Sequence, residues 1–192
     1  MPKLPRSFYT RRDVVIIAKE LLGKYLMTKI NGSTAGGIIT ETEAYAGVTD
    51  KASHAYGGLR SKRTGIMYGN GGFAYVYLCY GMYHLFNVIT NVTDIPHAVL
   101  IRAIEPTHRI DLMLRRRKKI AVGNNFIGPG KLSQGLAITT ELTGTDLTEN
   151  KIWIEDRGTK ISKHEILAGP RINVSYAGKD AKLPYRFRIM IK

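Results

Sequence analysis

The sequence has very little cysteine and no long apolar run. Cys79 is the one cysteine among 192 residues. A single thiol cannot form an internal disulfide, so nothing indicates a secreted disulfide framework, and a reducing cytoplasm is the simpler context. The apolar run at residues 14–17 is too short for a signal-peptide core or a membrane span. We therefore expect a cytoplasmic protein with no membrane partner.

Acidic residues are also scarce. Lys and Arg total 29 against 15 Asp and Glu, which gives a formal charge of +14 at pH 7. This excess indicates a polyanionic partner, and the aromatic content of 9%, mostly tyrosine, favours nucleic acid over an acidic membrane surface. A chain of this length can bury roughly 70% of its extended surface without disulfides or metal staples. We predict one domain over residues 1–192.

Hydrophobic spacing and turn residues predict both helices and strands. Residues Thr10 to Asp13 resemble a capping box, and apolar residues at helical spacing follow until Gly23. Asn31-Gly32 predicts a hairpin between strands at 24–30 and 36–44. Further predicted segments are strands at 98–104, 151–155, 171–175 and 186–191, helices at 107–119 and 132–139, and a long loop at 47–72.

The most distinctive segment is FAYVYLCYGMY at residues 73–83, which holds four of the eleven tyrosines. In a strand, Phe73, Tyr75 and Tyr77 share one face, and small aliphatic residues share the other. Gly81 permits a sharp turn that presents Tyr80 outward. The tyrosine face suits a site where flat, partly polar molecules stack, although any one tyrosine taken alone is more commonly an ordinary sheet residue.

Two carboxylates and a phenol occur at alternate positions of a predicted strand. Glu41, Glu43 and Tyr45 share a face there. Arg102 lies in the most hydrophobic strand candidate, where a guanidinium is costly to bury without an anion, so a site carboxylate is its natural partner. From the residues alone, an exposed position is an equal alternative for Arg102 and the commoner environment for Glu43.

Several other chemistries lack support in the sequence. The five histidines form no HxH or HxxxH pair, and one cysteine cannot build a thiolate site, so we predict no metal. There is no GxSxG elbow, and GPGK at 128–131 lacks the spacing of a triphosphate-binding loop. A carboxylate that deprotonates water suits hydrolysis of an N-glycosidic bond, and an aromatic wall suits a base extruded from a helix.

The chain resembles the alkyladenine (3-methyladenine) DNA glycosylase family, the type without a helix-hairpin-helix. The resemblance is carried, in family order along nearly the whole chain, by LLG at 21–23, ETEAY at 41–45, ASH at 52–54, YVY at 75–77, YGMY at 80–83, Asn87, LIRAIEP at 100–106, GPGKL at 128–132 and GPRI at 169–172. It implies an α+β fold: a single compact domain with a curved, mostly antiparallel β-sheet flanked by helices and long loops.

The resemblance implies a role for each matching residue of the base pocket. Glu43 activates the hydrolytic water, and Arg102 helps to hold that water. This pairing is expected to keep Glu43 ionised, as a base must be at neutral pH. Tyr45 and Tyr77 sandwich the flipped purine together with His54, which contacts the edge of the base.

Other roles concern the DNA around the pocket. Tyr80 is implied to be the wedge inserted into the duplex, and Asn87 to crowd the 2-amino group of normal guanine. Arg63, Lys131 and Arg171 are candidates for contacts to the DNA backbone. The sequence SKRT at 61–64 stands where the family often has TPRN. The arginine is kept, but the shape of this loop is left open.

The function implied is that of a monofunctional DNA glycosylase without a cofactor or a lyase step. It would excise 3-methyladenine, 7-methylguanine, hypoxanthine or ethenoadenine from damaged double-stranded DNA, leaving an abasic site. We expect a monomer, cytoplasmic and nucleoid-associated if bacterial. Two alternatives stay open: an RNA-binding module, with the basic segment 107–119 on phosphates, and a hydrolase of free nucleosides. The first has no use for Glu43 facing Arg102, and the second leaves Tyr80 and the positive charge without a role.

Overall fold

The computed structural model describes residues 2–190 and has an antiparallel sheet at the centre of an α+β fold. Its strands are β1 (Tyr25–Ile30), β2 (Ser33–Tyr45), β3 (Ala74–Cys79), β4 (Tyr83–Thr90), β5 (His97–His108), β6 (Ile152–Glu155), β7 (Leu167–Gly169) and β8 (Arg186–Arg188). The main order is β3-β4-β5-β2-β1-β6, and β8 pairs with both β2 and β7. The pairings between these strands are all antiparallel. The predicted fold class is confirmed.

Strand β2 is the spine of the sheet. One edge pairs with β5, while the other pairs first with β1 and then, from Glu41 to Glu43, with β8. The pairing with β5 shifts register between Gly36 and Gly37 and on both sides of Glu41. Such bulges bend a strand and increase its twist. The bent half of β2 therefore lies between β5 and β8, and it carries the ETEAY motif.

The first long helix begins later than predicted. The helices are α1 (Arg6–Tyr9), α2 (Val14–Glu20), α3 (Ile110–Arg116) and α4 (Pro129–Gly135). Asp13 caps α2, because its Oδ1 accepts hydrogen bonds from the backbone N–H groups of Val15 and Ile16 at 2.8 and 3.0 Å. A carboxylate in the cap position satisfies two free donors of the first turn, so Thr10 is not the cap and that prediction is wrong.

The helices on either side of residue 120 are shorter than predicted. Strand β5 continues through His108, and Arg109 then takes a left-handed backbone conformation with φ 51°, so the helix expected at 107–119 is confined to α3. The helix expected at 132–139 begins at Pro129, a residue whose fixed φ suits the first turn of a helix. No helix in residues 2–190 has the length and apolar composition needed to cross a bilayer.

The C-terminal strands are partly as predicted. The strand expected at 151–155 is β6, and the one expected at 186–191 is β8, with Ile191 outside the described residues. The strand expected at 171–175 is wrong: the chain turns there into a 3-10 helix at Ser175–Lys182. Strand β7 comes just before this segment and takes its place in the sheet.

Two groups of buried side chains support the end of the sheet that holds ETEAY. The main core includes Ile17, Phe86 and Phe187, which pack α2 and the helical layer against the sheet. A smaller cluster joins Met67 and Tyr68 of the long loop to Tyr75 of β3. The loop at 47–72 therefore has its own apolar anchor, which fixes it beside β3.

The close approach of β2 and β5 gives a prediction about Gly37. A Cβ at this position would lie 2.3 Å from the carbonyl oxygen of Glu105, and both strands are held by pairing. We expect Gly37→Ala to lower the free energy of unfolding by about 1–3 kcal/mol in urea denaturation. Gly169→Ala in β7 is the control, because a Cβ there meets nothing within 4 Å. Equal losses in the two variants would contradict the close approach as the cause.

Candidate active site

A cleft of about 570 Å³ opens beside the bent half of β2. Its walls come from β3, β4, β5, the long loop, the start of α4 and the segment after β7. Eight of the ten predicted site residues line it: Tyr45, His54, Arg63, Tyr77, Tyr80, Asn87, Arg102 and Lys131. This volume is typical of a cleft that binds a small molecule or a single nucleobase.

Glu43 lies beneath the floor of the cleft and is 0% exposed. Its Oε1 accepts a hydrogen bond from the backbone N–H of Ile172 at 2.8 Å, and its Oε2 accepts one from the hydroxyl of Tyr45 at 2.8 Å. The Nε of Arg102 is 3.4 Å from Oε1. The structure thus brings Glu43, Tyr45 and Arg102 together as the sequence predicts.

The charge balance of Glu43 differs from expectation. Burial raises the pKa of this carboxyl, and that effect outweighs the lowering by Arg102 and by the hydrogen bonds from Ile172 and Tyr45. Arg102 gives its Nε hydrogen bond to Glu41 instead, at 3.0 Å. The guanidinium is therefore shared between two carboxylates, and proximity to Arg102 alone does not set the ionisation of Glu43.

The aromatic wall consists of His54, Tyr75 and Tyr77. The rings of His54 and Tyr77 meet edge to face with centroids 4.6 Å apart, and Nδ1 of His54 lies 2.9 Å from the hydroxyl of Tyr75. Burial lowers the pKa of His54 to about 4, with the charge of Arg63 acting in the same direction. The imidazole is therefore neutral at neutral pH. Phe73, expected on the same face, does not line the cleft and packs against a guanidinium instead.

Asn87 is fixed on the wall formed by β4. Its side chain is almost fully buried, and its Nδ2 donates to the carbonyl oxygens of Tyr75 and Leu85, both at 3.2 Å. Both amide hydrogens are thereby used on backbone acceptors. The side chain cannot swing away from the cleft without losing two hydrogen bonds in a buried setting.

Tyr80 stands at the tip of the hairpin between β3 and β4 and is 77% exposed. Tyr80 and Gly81 have φ angles of 51° and 69°, the left-handed conformation found at both central residues of tight hairpin turns. A tyrosine adopts this conformation less readily than a glycine does. Met82 beside it is also exposed. The turn therefore holds a large aromatic side chain out in solvent at the rim of the cleft.

The loop left open by the sequence is closed by its own side chains. The backbone N–H of Ser61 donates to Thr64 Oγ1 at 2.8 Å, and the N–H of Thr64 donates to Ser61 Oγ at 3.2 Å. These two hydrogen bonds hold the loop so that Arg63 lies at the mouth of the cleft, where its charge helps to lower the pKa of His54. Lys131, on another part of the rim, donates from Nζ to a backbone carbonyl at 3.1 Å.

Arg171 does not lie where a DNA phosphate could reach it. Its side chain is buried and makes two hydrogen bonds to Asp50, at 2.5 and 2.8 Å. The guanidinium also lies over the rings of Tyr45 and Tyr185, with centroids 4.8 and 5.4 Å away. Because the guanidinium is enclosed, we do not carry Arg171 forward as a backbone contact. Its bonds to Asp50 fix the backbone just after β7. The next residue, Ile172, donates its backbone N–H to Glu43.

Several contributors escape sequence reasoning. The N–H of Ile172 has no signature, since every residue except proline carries one. Asp50 and Arg186 make ion pairs with partners far along the chain, and nothing local marks them. The pairing of Glu41 with Arg102 was open to prediction, because the two lie on adjacent strands. Within residues 2–190, no group of three or more His, Cys, Asp or Glu side chains is arranged to hold a metal ion.

Comparison with known proteins agrees with this geometry. The family model described as Methylpurine-DNA glycosylase (MPG) matches residues 7–191. A protein of Chlamydia felis is 47% identical over 191 residues, which cover 98% of this chain and 97% of the relative. One of Bacillus mycoides is 46% identical over 192 residues, covering 95% and 94%. Both carry the provisional name 3-methyladenine DNA glycosylase. These matches along nearly the whole chain show that the protein belongs to the methylpurine-DNA glycosylase family.

Proposed function

We propose that this protein is a monofunctional DNA glycosylase that removes alkylated or deaminated purines from double-stranded DNA by hydrolysis, leaving an abasic site. The observation that carries the proposal is the buried carboxylate of Glu43, held beneath an aromatic cleft by two hydrogen bonds and an ion pair with Arg102. A binding module has no need of such a group, since burying a charge is costly.

Glu43 keeps an unused acceptor position on Oε2, which a water entering from the cleft would occupy. A carboxylate oxygen accepts two hydrogen bonds, and Oε2 has a single donor, the hydroxyl of Tyr45. A water bound there would give its proton to Glu43 while its oxygen bonds to C1′ of the flipped nucleotide. The N-glycosidic bond breaks with its electrons moving to the purine. The raised pKa of Glu43 makes its ionised form a stronger base for this step.

The aromatic wall supports cationic purines as preferred substrates. A nucleotide of 3-methyladenine or 7-methylguanine carries a positive charge on its base, and a cation is attracted to the electron-rich face of tyrosine.

Asn87 lies on the cleft wall, and its amide hydrogens are both bonded to backbone carbonyls. A guanine 2-amino group would meet this immobile side chain. We infer a preference for 3-methyladenine over 7-methylguanine.

Duplex DNA would lie across the rim of the cleft, with Tyr80 inserted where the nucleotide leaves the stack. Arg63 and Lys131 are on this rim. The segment from residue 112 to 140 has six Lys and Arg and no Asp or Glu. It runs from α3 through α4, and the first residues of α4 line the cleft. Such a surface suits phosphates.

The hydrolytic route is favoured over a lyase step by the positions of the amines. Among the described residues that line the cleft, the one lysine is Lys131. Its Nζ donates a hydrogen bond to the backbone carbonyl oxygen of Asn124 at 3.1 Å, which directs the amine to the protein backbone. A lyase needs an amine that attacks C1′, so this placement supports a monofunctional enzyme.

The role of Glu43 gives the first prediction about activity. We expect Glu43→Gln to lower the single-turnover rate of 3-methyladenine release from duplex DNA, measured in EDTA, by about 10²- to 10⁴-fold, because a general base is lost. In the wild type, the acid limb of the pH profile should lie above the ordinary titration range of glutamate, near pH ~4.3, because burial raises the pKa. Glu105→Gln, an exposed change on β5, is the control.

Thermal unfolding distinguishes the loss of a general base in Glu43→Gln from a folding defect. A carboxyl whose pKa is raised in the folded protein stabilises the fold at low pH, and that contribution is lost as the pH rises through the folded pKa. Glutamine is neutral throughout, so at neutral pH Glu43→Gln should unfold at a temperature no lower than the wild type. Release of 3-methyladenine at the wild-type rate by a folded Glu43→Gln protein would exclude Glu43 as the base.

The exposed hairpin tip gives a prediction about Tyr80. We expect Tyr80→Ala to slow excision from duplex DNA by an amount equivalent to about 1–3 kcal/mol, the value of one aromatic–base stack. The free energy of unfolding should change by less than about 0.5 kcal/mol, because the side chain packs against little of the protein. Tyr80→Phe should keep most of the activity. Equal excision rates for Tyr80→Ala and the wild type would rule out the wedge.

The basic segment gives a prediction about salt. Lys118 and Lys119 are exposed just after α3. Replacing both by Gln should reduce the slope of log K against log salt for duplex DNA by up to about 2, because each phosphate that a lysine neutralises adds about 0.9 to that slope. The matched control replaces the exposed Lys29 and Lys151, which lie on the β1–β6 side of the sheet. An equal change of slope in both double variants would contradict a specific phosphate surface.

A further inference from the structure

Four charged side chains form a closed group at the base of the cleft. Glu41, Glu43, Arg102 and Arg186 have side chains that are 7%, 0%, 13% and 20% exposed. Their formal charges cancel. Of these four, the resemblance to known glycosylases accounts for Glu43 and Arg102. Glu41 and Arg186 have no role in the proposed reaction.

Glu41 connects the two arginines through one oxygen. Its Oε1 accepts a hydrogen bond from Nε of Arg102 at 3.0 Å and from Nε of Arg186 at 2.5 Å. Glu43 receives no hydrogen bond from Arg102, whose Nε is 3.4 Å from it. Among the described residues, Arg102 donates a hydrogen bond through Nε alone. Glu41 therefore fixes the plane of this guanidinium, and the two terminal amino groups are left for water or substrate in the cleft.

The fold places Glu41 and Arg186 here by strand pairing. Glu41 lies at the register shifts of β2, opposite Ala103, the residue after Arg102. On the other edge of β2, Arg186 of β8 is directly opposite Glu43. The bulge of β2 therefore positions the carboxylate of Glu41 near the proposed base, and the short strand β8 positions the guanidinium of Arg186 near it.

Glu41 and Arg186 have opposite effects on the ionisation of Glu43. An unpaired carboxylate at Glu41 would disfavour ionisation of Glu43 and would compete for Arg102. The nearby Arg186 offsets that charge. Other titratable or charged groups near Glu43 come from several elements: Tyr45 of β2, Tyr77 of β3, Arg102 of β5, and Arg171 and Tyr176 around the last 3-10 helix.

Building on the proposed function, we propose that Glu41 and Arg186 are positioning residues: Glu41 orients Arg102 toward the cleft, and Arg186 neutralises Glu41 so that Arg102 also serves Glu43. Neither side chain touches the substrate. Their effect on the reaction passes through Arg102 and Glu43.

The test measures the pKa of Glu43 in two variants, one that removes a nearby negative charge and one that removes a nearby positive charge. Glu41→Gln keeps an acceptor for both arginines but removes the negative charge, so the pKa of Glu43 should fall. Arg186→Met leaves Glu41 uncompensated, so the pKa of Glu43 should rise. Each shift should be up to about 1 pH unit, because the charge removed lies close to Glu43 without contacting it. Carbon-13 NMR of labelled glutamate side chains measures it, with the Glu43 signal assigned by its loss in Glu43→Gln.

Matched controls separate positioning from general disruption. Glu105→Gln makes the same change as Glu41→Gln at an exposed position of β5. It should not move the Glu43 titration. Arg186→Lys, which keeps the positive charge, should restore most of the wild-type value. A merely structural role for the pair would not produce shifts of opposite sign.

Activity is measured in parallel. The acid limb of 3-methyladenine release should move down in pH for Glu41→Gln and up for Arg186→Met. Unshifted titrations, or shifts in the same direction, overturn the inference. If Arg186→Met does not fold, an unshifted Glu41→Gln is sufficient to overturn it. A wild-type protein that releases no base from any lesion defeats the proposed function, while the NMR titration still decides the positioning of Glu43.

Discussion

The burial of one carboxylate is the constraint on which the rest of this structure depends. Glu43 is shielded from bulk solvent, so its charge is tolerable only where polar and cationic groups surround it. Those groups are the hydroxyl of Tyr45 on β2, the guanidinium of Arg102 on β5 and the backbone N–H of Ile172. Elements distant in sequence must therefore meet at one point. The bulged β2, the added strand β8 and the clamp between Asp50 and Arg171 are all arranged around that meeting point.

The cleft above Glu43 has two kinds of wall, rigid for different reasons. Tyr75 and Asn87 belong to paired strands, and their polar atoms are satisfied by a neighbouring ring or by backbone carbonyls. The long loop is held by a small apolar cluster and by the mutual bonds of Ser61 and Thr64. A pocket preorganised in this way spends little free energy on ordering itself when a base enters.

Much of the fold and the site was predictable where the relevant physics is local. The Asn31-Gly32 hairpin and the aromatic strand were identified because turn chemistry and alternation act over a few residues. The misplaced cap at Thr10 shows the limit of a local motif, since Asp13 three residues later is the better acceptor. Arg171 was predicted as a contact to the DNA backbone, whereas its buried position depends on Asp50, which is 121 residues away. The ion pair between Asp50 and Arg171 and the backbone donor at Ile172 leave no trace in a single sequence.

The neutral group at the base of the cleft has a consequence for how the molecule can divide its work. The net charge of +14 must lie outside that group, because its two carboxylates and two guanidiniums cancel. Under the proposed function, electrostatic attraction to DNA would be a property of the outer surface and would not distinguish damaged from intact sequence. The floor has no excess charge with which to hold a phosphate. Under the proposed function, binding to DNA and hydrolysis of the base would then depend on separate sets of residues, and substitutions could alter one without disturbing the other.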